Sequence, residues 1–380
     1  MIFKNLCCAL KFHYCIEEVI YLRSKSSSVF SALLKICWVV FVRKIFVTGS
    51  AGFIGFHLSK LLLENNLSVL GYDGFTDYYD VSLKHARNAE LQKSANFYPV
   101  VGMLEDFESL FMAMDEFKPD IVVHLAAQAG VRHSILKPRT YLEANILGTF
   151  NVLEASRNVG VGHLLIASTS SVYGSNTELP FLEIEKADFQ MSFYAATKKS
   201  CEAMGHSFSH IYQLPITMFR FFTVYGPWGR PDMALFKFTK AIINDEPIDV
   251  YNHGEMWRDF TYVEDLVKAI SLLFEKIPDQ KSHSYKNDSI SPVAPYRIVN
   301  IGNSEKVKLI KFIEAIESSL SKKARLNFMD IQQGDVPATW SDTTLLKDLT
   351  GYKPETDVSL GVDNFVRWYK RYYRENHKDS

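Results

Sequence analysis

The sequence predicts an α/β fold, a doubly wound parallel sheet with a smaller C-terminal α/β part. Short β-branched and aromatic runs recur: KIFVT (Lys44–Thr48), SVLGYD ending at Asp73, NFYPVVG, DIVVHLAA (Asp120–Ala127) and HLLIAS from His163. Between them lie stretches with apolar residues at helical spacing, such as Ile54, Leu58, Leu61 and Leu62. Strands alternating with helices give a parallel sheet covered on both faces, whose strands read as unbroken apolar runs.

At 380 residues the chain suits one large domain or two joined ones. Its 47% hydrophobic and 22% charged residues match an ordinary soluble globular protein. Lys plus Arg (42) nearly balances Asp plus Glu (43), so nucleic acid is not an expected partner and any anionic ligand must be met by local cations. Four of the five cysteines lie at Cys7, Cys8, Cys15 and Cys37, and only Cys201 falls later. No CxxC pair with a second pair or with histidines is present, so no metal is expected. A long body with one cysteine suits a reducing, cytoplasmic setting.

Residues 1–43 form an N-terminal extension unlike the rest. Its apolar stretch Val29–Val42 is interrupted by Lys35 and falls short of the roughly 20 residues that span a membrane. An upstream mis-assigned start, with translation beginning at Val42, is the favoured reading, and a weak membrane anchor is the alternative. The expected domains are 44–225 for a nucleotide and 226–380 for its co-ligand, interleaved with each other.

The first strand leads into Gly49, Gly52 and Gly55, with Phe53 and Ile54 opening the helix that follows. Glycines let backbone approach a pyrophosphate, whose charge sits at the positive helix end. Asp73 ends the second strand, where an acid holds the adenosine ribose hydroxyls. No arginine follows closely and a carboxylate repels a 2′-phosphate, so NAD is expected over NADP. Leu125, Ala126 and Ala127 close the fourth predicted strand and belong at the same sheet edge.

The stretch ASTSSVYG leaves the next strand through four hydroxyl side chains in a row, with no acid among them. In SFYAATKKSCEAMGHSFSH, Tyr194 and Lys198 stand four apart on one helical face. A free phenol is a poor base at neutral pH, and a nearby ammonium is expected to favour the phenolate.

GSAGFIG, HLAAQAG, STSSVYG and YAATK together resemble the extended short-chain dehydrogenase/reductase proteins that modify nucleotide sugars, of the NAD-dependent epimerase/dehydratase family, over about Lys44 to Tyr373. The resemblance implies a Rossmann-type fold, Thr169 as catalytic hydroxyl, Tyr194 as base and Lys198 as its partner. The 4,6-dehydratases carry Asp-Glu after the catalytic hydroxyl, and UDP-glucuronate decarboxylases a Glu at the second position. Here both are serines, Ser170 and Ser171. GFTDYYDVSLKHARNAEL, FFTVYGPWGRPDMALFKFTKAI and VYNHGEMWRDFTYVEDL are similar to UDP-glucuronate 4-epimerases, as are Thr223 and Gln332.

That similarity implies NAD-dependent conversion of UDP-glucuronate to UDP-galacturonate. Arg258 is then expected on the diphosphate, and Arg230 on the carboxylate as a bidentate fork with Ser170, Ser171 and Thr223. Asp335 is expected on the uridine ribose. The family commonly forms homodimers through a helix bundle that includes the Tyr194 helix. Alternatives are UDP-glucuronate decarboxylation, UDP-glucose 4-epimerisation and a non-catalytic NAD-sensing module. Met103 departs from the pattern: the family usually has an Asp there for adenine, so either apolar contact and backbone groups hold the adenine or the register shifts and Glu105 or Asp106 substitutes. Cys201 and His124 read as structural, Arg132 as a candidate for substrate contact, and Pro278–Tyr296 as a surface loop.

Overall fold

The structure, a computed structural model, describes residues 42–279, 285–332 and 335–375. Almost all of the N-terminal extension, with its apolar stretch, therefore lies outside the described residues. The first six strands are β1 (Lys44–Thr48), β2 (Ser68–Asp73), β3 (Phe97–Val101), β4 (Ile121–His124), β5 (His163–Thr169) and β6 (Ile216–Phe221). There follow β7 (Thr223–Tyr225), β8 (Pro247–Tyr251), β9 (Trp257–Arg258), β10 (Phe260–Tyr262) and β11 (Tyr296–Ile301). A parallel sheet runs in the order β11-β6-β5-β4-β1-β2-β3.

The apolar runs become strands because both sheet faces are covered. Side chains alternate across a strand. Ile45 and Val47 join one buried cluster with Phe56, Leu62 and Phe219. Phe46 joins the opposite one with Leu70, Val122 and Ile166. The helices packed on these faces include α1 (Phe53–Glu64), α2 (Ser82–Leu91), α3 (Phe107–Phe117), α4 (Gly148–Val159) and α5 (Phe193–Tyr212). Strand order reverses between β1 and β4, and a ligand crevice opens at the carboxyl ends of strands at such a point.

The C-terminal half adds α6 (Ala234–Ile243), α7 (Val263–Leu273), α8 (Leu309–Leu320) and α9 (Val358–Glu375). Its own core gathers Tyr225, Phe236, Phe260, Phe312 and Phe365. A cut at Tyr225 would not separate two bodies, because β11 returns to pair with β6 and α7 packs its apolar face into the first core. The described part of Pro278–Tyr296 holds no helix or strand before β11, but it is more than a surface loop. Asp288 and Arg297 form a buried ion pair at 3.0 Å, and Ile290 and Ala294 are buried.

His57 shows how tightly α1 is held. Burial pulls its imidazole down to about 4, so the neutral ring donates from Nε2 to the Pro227 carbonyl at 2.9 Å. A buried histidine held below its usual value of 6.5 makes the unfolded chain the better proton acceptor in acid. Stability is therefore present above pH 6.5 and is lost as pH falls from there towards 4, by roughly 3 kcal/mol for this group. Chemical denaturation of a His57→Gln variant, followed across that range, is expected to show a shallower loss than the parent.

Candidate active site

A cavity of about 910 Å³ opens along the carboxyl edge of the sheet. The expected dinucleotide residues from Gly49 to Ala127, the catalytic Thr169, Tyr194 and Lys198, and Ser170, Ser171, Thr223, Arg230, Arg258 and Asp335 all border it. Gln332 does not border it, although its side-chain oxygen is buried without a hydrogen-bond donor.

The glycine loop lies at one end. Gly49 has φ +72°, and a Cβ there would meet the Ala126 backbone at 2.8 Å. A Cβ on Gly55 would lie 2.0 Å from the Gly49 carbonyl oxygen. Gly52 caps α1 without a side chain, so the first amides of the helix face the cavity uncapped. That is a cradle of the shape and polarity that suit a pyrophosphate. The Asp73 carboxylate accepts from Ala51 N at 3.0 Å and from Phe75 N at 2.9 Å, so it shapes the loop as well as bordering the ribose region. A carboxylate has about four lone-pair sites, which leaves acceptors for hydroxyls.

Met103 borders the cavity beside Gly74, where its sulfur would lie 2.3 Å from a Cβ on that glycine. Glu105 borders it too. Asp106 does not border the cavity and caps α3, accepting from Ser109 N at 3.2 Å.

The row of hydroxyls divides its work. Ser168 donates inward to Glu202 at 2.8 Å. Burial works to raise the Glu202 carboxyl, but the two-pronged Arg220 pair at 2.9 Å holds it below the usual range. Thr169 Oγ1 accepts from Ser171 N at 3.2 Å and starts the turn Ser170–Tyr173. The strand thus ends with Thr169, Ser170 and Ser171 on the cavity.

Ser192 caps α5, accepting from Ala195 N at 3.1 Å, and sets Tyr194 and Lys198 one turn apart on its cavity side. Burial pushes the Tyr194 phenol up; the Thr169 hydrogen bond and the Arg230 charge oppose it only in part. Burial also lowers the Lys198 ammonium. The expected depression of the phenol by Lys198 is thus corrected: among protein groups, Thr169 and Arg230 are what favour the phenolate.

A second correction concerns Arg230. Its Nε and Nη2 already donate to Asp232 at 2.9 and 2.5 Å, and Tyr78 donates to the same carboxylate at 3.2 Å. The fork expected to face a ligand is largely engaged by an internal carboxylate. Arg258 borders the cavity while donating to the carbonyls of Trp257 and Pro337. Arg132 and Asp335 pair at 3.4 Å on the cavity lining.

Sequence reasoning missed several organising groups. Asn145 lies in a π-helical run, Leu142–Leu147, and donates to Gln128 O and Thr197 Oγ1 at 3.0 Å, tying the loop after β4 to α5. π-bulges often mark functional sites, yet nothing local in LEANIL announces one. Buried Asp259 accepts from Asn303 N, Ser304 N and Ser341 N, and its own carbonyl receives Thr223 N at 3.0 Å. His124 and Cys201, both read as structural from the sequence, are buried: His124 bridges Thr48 and Thr149, and Cys201 donates to Asn145 O. Among the described residues no cluster of metal-ligating side chains is present, and no helix is long and apolar enough to cross a membrane.

The family model described as GDP-mannose 4,6 dehydratase matches residues 46–365. A probable UDP-glucuronate 4-epimerase of Rhizobium meliloti is 49% identical, over 87% of this chain and 98% of its own. UDP-glucuronate 4-epimerase 4 of Arabidopsis thaliana is 43% identical over 88% of this chain and 77% of its own. Among solved structures, the Bacillus cereus UDP-glucuronic acid 4-epimerase in complex with UDP-glucuronic acid and NAD superposes with a TM-score of 0.77 at 31% identity, covering 87% of this chain and 100% of that one. The chain belongs to the NAD-dependent epimerase/dehydratase family.

The loop geometry gives a direct test. Gly55→Ala forces the Gly49 carbonyl to move, and is expected to weaken dinucleotide binding about tenfold or more while the protein still folds. Isothermal titration beside a thermal melt measures both.

Proposed function

We propose that this protein is a nucleotide-sugar epimerase that interconverts UDP-glucuronate and UDP-galacturonate with NAD. The observation that carries the reading is a cavity shared by Tyr194, Thr169 and Arg230 in which the two positions after Thr169 are serines. Elimination of water needs an added acid and base, which Ser170 and Ser171 do not supply at neutral pH. Relatives named as a probable UDP-glucuronate 4-epimerase, matched over 98% of its length, and as UDP-glucuronate 4-epimerase 1, matched over 78%, support the same substrate.

The loop Gly49–Gly55, with Phe53 and Ile54, would hold the pyrophosphate of NAD, Asp73 the adenosine ribose, and Leu125–Ala127 and Lys198 the nicotinamide end. When bound, NAD would supply an acceptor and then a donor of hydride at C4, so that the sugar undergoes no net oxidation. Tyr194 takes the C4 hydroxyl proton while Thr169 holds the same oxygen, and Tyr194 gives the proton back after the 4-keto sugar has turned its other face. The keto sugar carries a carboxylate β to its carbonyl, and carbon dioxide is lost if that bond lines up with the carbonyl π system. Arg230, Thr223, Ser170 and Ser171 hold the carboxylate out of that alignment. Arg258 takes the diphosphate and Asp335 the uridine ribose. The protein works as a homodimer, a reading supported by exposed Phe150 on α4 and exposed Ile211 and Tyr212 at the end of α5.

Incubation with UDP-glucuronate and NAD, followed by separation of the nucleotide sugars, is expected to give UDP-galacturonate and no pentose. UDP-xylose as product would replace this reading with decarboxylation, and turnover of UDP-glucose alone would remove the carboxylate from it. Tyr194→Phe is expected to lower kcat by about a hundredfold or more with NAD binding nearly unchanged; unchanged turnover would refute its role as base.

The pH profile follows from the raised phenol. Only the phenolate accepts the proton, and its fraction grows with pH, so kcat/KM is expected to climb as pH rises through neutrality. A profile falling over that range would contradict the assignment.

A further inference from the structure

The segment Gly74–Arg87 carries a sequence motif that the reaction as described leaves unused. Phe75 has φ +48°, and Tyr78, Tyr79, Lys84 and Arg87 all turn inward from it. Arg87 is 0% exposed. Its Nη1 donates to the Ala51 carbonyl, inside the glycine loop, at 3.0 Å and to the Tyr79 hydroxyl at 2.8 Å. Its Nη2 donates to the Trp228 carbonyl at 2.6 Å and the Gly229 carbonyl at 3.5 Å. Trp228 has φ +59°, a left-handed backbone that a tryptophan adopts only where its surroundings hold it.

Among the described residues Arg87 has no ion-pair partner; Asp73 acts on it from a distance. Lys84, 7% exposed and on the cavity wall, donates to Thr76 O and Oγ1 and likewise has none. Burying a cation without a carboxylate is costly, and an apolar side chain of similar length would fill the same space at less cost. A fork that binds carbonyls of two separate loops does what an apolar side chain cannot. The next residue after Gly229 is Arg230, and Tyr78 from the same segment holds the Asp232 partner of Arg230. Lys84 borders the same cavity as the start of α1.

We propose that Arg87 is a positioning residue that ties the glycine loop to the Arg230 loop, so that NAD on the first and a sugar carboxylate on the second are held together. The inference rests on the reading of Arg230 as the partner of that carboxylate. One guanidinium sets the distance between the pyrophosphate cradle and the carboxylate site. Loss of the fork therefore loosens both ends and leaves the uridine end alone.

The test uses the purified holoprotein. Arg87→Lys keeps the charge and drops the fork; Arg87→Met drops both. Each variant is checked by thermal unfolding, titrated with UDP-glucuronate and with UDP-glucose, and followed for loss of NAD on repeated dilution and filtration. The expected result in both is an about tenfold fall in preference for UDP-glucuronate, the worth of a good charge-assisted contact, with faster loss of NAD and nearly unchanged UDP-glucose binding.

A folded Arg87→Lys protein that keeps both the preference and its NAD overturns the inference. So does equal weakening of the two sugars, the mark of general loosening, and so does a lost preference with NAD retained. If Arg87→Met does not fold, Arg87→Lys decides alone. Arg230→Ala separates the inference from its foundation. A preference retained in Arg230→Ala overturns the carboxylate reading and the coupling with it. A preference lost there but kept in Arg87→Lys overturns the coupling alone.

Discussion

The site depends first on a backbone approach that side chains would forbid. Gly49 lies against the Ala126 backbone, and Gly55 against the Gly49 carbonyl, both closer than any Cβ permits. That approach brings the loops after β1 and β4 together at the point where strand order reverses. The positive end of α1 then faces the same cavity as the loop after β4. The buried strands stiffen this edge, because β1 and β4 have no exposed residue between them except Lys44.

A second constraint is the handling of buried charge. Glu202 and Arg220, both almost fully buried, neutralise each other and fix Ser168 at the strand end from which Thr169 projects. Replacing one partner of such a pair is far more damaging than removing both. Arg230 and Asp232 form another pair on the cavity wall itself, so an arriving carboxylate meets a cation that has already been neutralised and oriented. On the proposed function, recognition of an acidic sugar would be shared with the hydroxyls of Thr223, Ser170 and Ser171, which carry no charge to repel it. That would give the row of hydroxyls at the strand end its purpose.

What was legible in the sequence was local. Gly49, Gly52 and Gly55 read through their spacing between an apolar run and a helical one, and Tyr194 and Lys198 through four-residue spacing on a helix. Membership of one cavity followed because each motif ends a parallel strand or begins a helix beside one. What was not legible depended on approach over long separations. β11 pairs with β6 from 80 residues further along the chain, counting Ile216 to Tyr296. Asp232 claims the Arg230 fork because the turn Arg230–Met233 folds back, and a loop arginine in sequence looks unengaged. The Tyr194 phenol was expected to fall beside an ammonium, but burial acts on both groups and outweighs their proximity. Nothing in the residues around Arg87 announces that its guanidinium reaches the carbonyls of Ala51 and Trp228.

On the proposed function, the site moves a hydride at C4 and a proton on its oxygen while keeping a neighbouring carboxylate still. The most direct test is to supply UDP-glucuronate carrying deuterium at C4 and to examine the products by mass spectrometry and NMR. The account predicts UDP-galacturonate with the deuterium retained at C4 and no label in solvent. Deuterium washed into solvent, or its recovery in a pentose alongside released carbon dioxide, would contradict it.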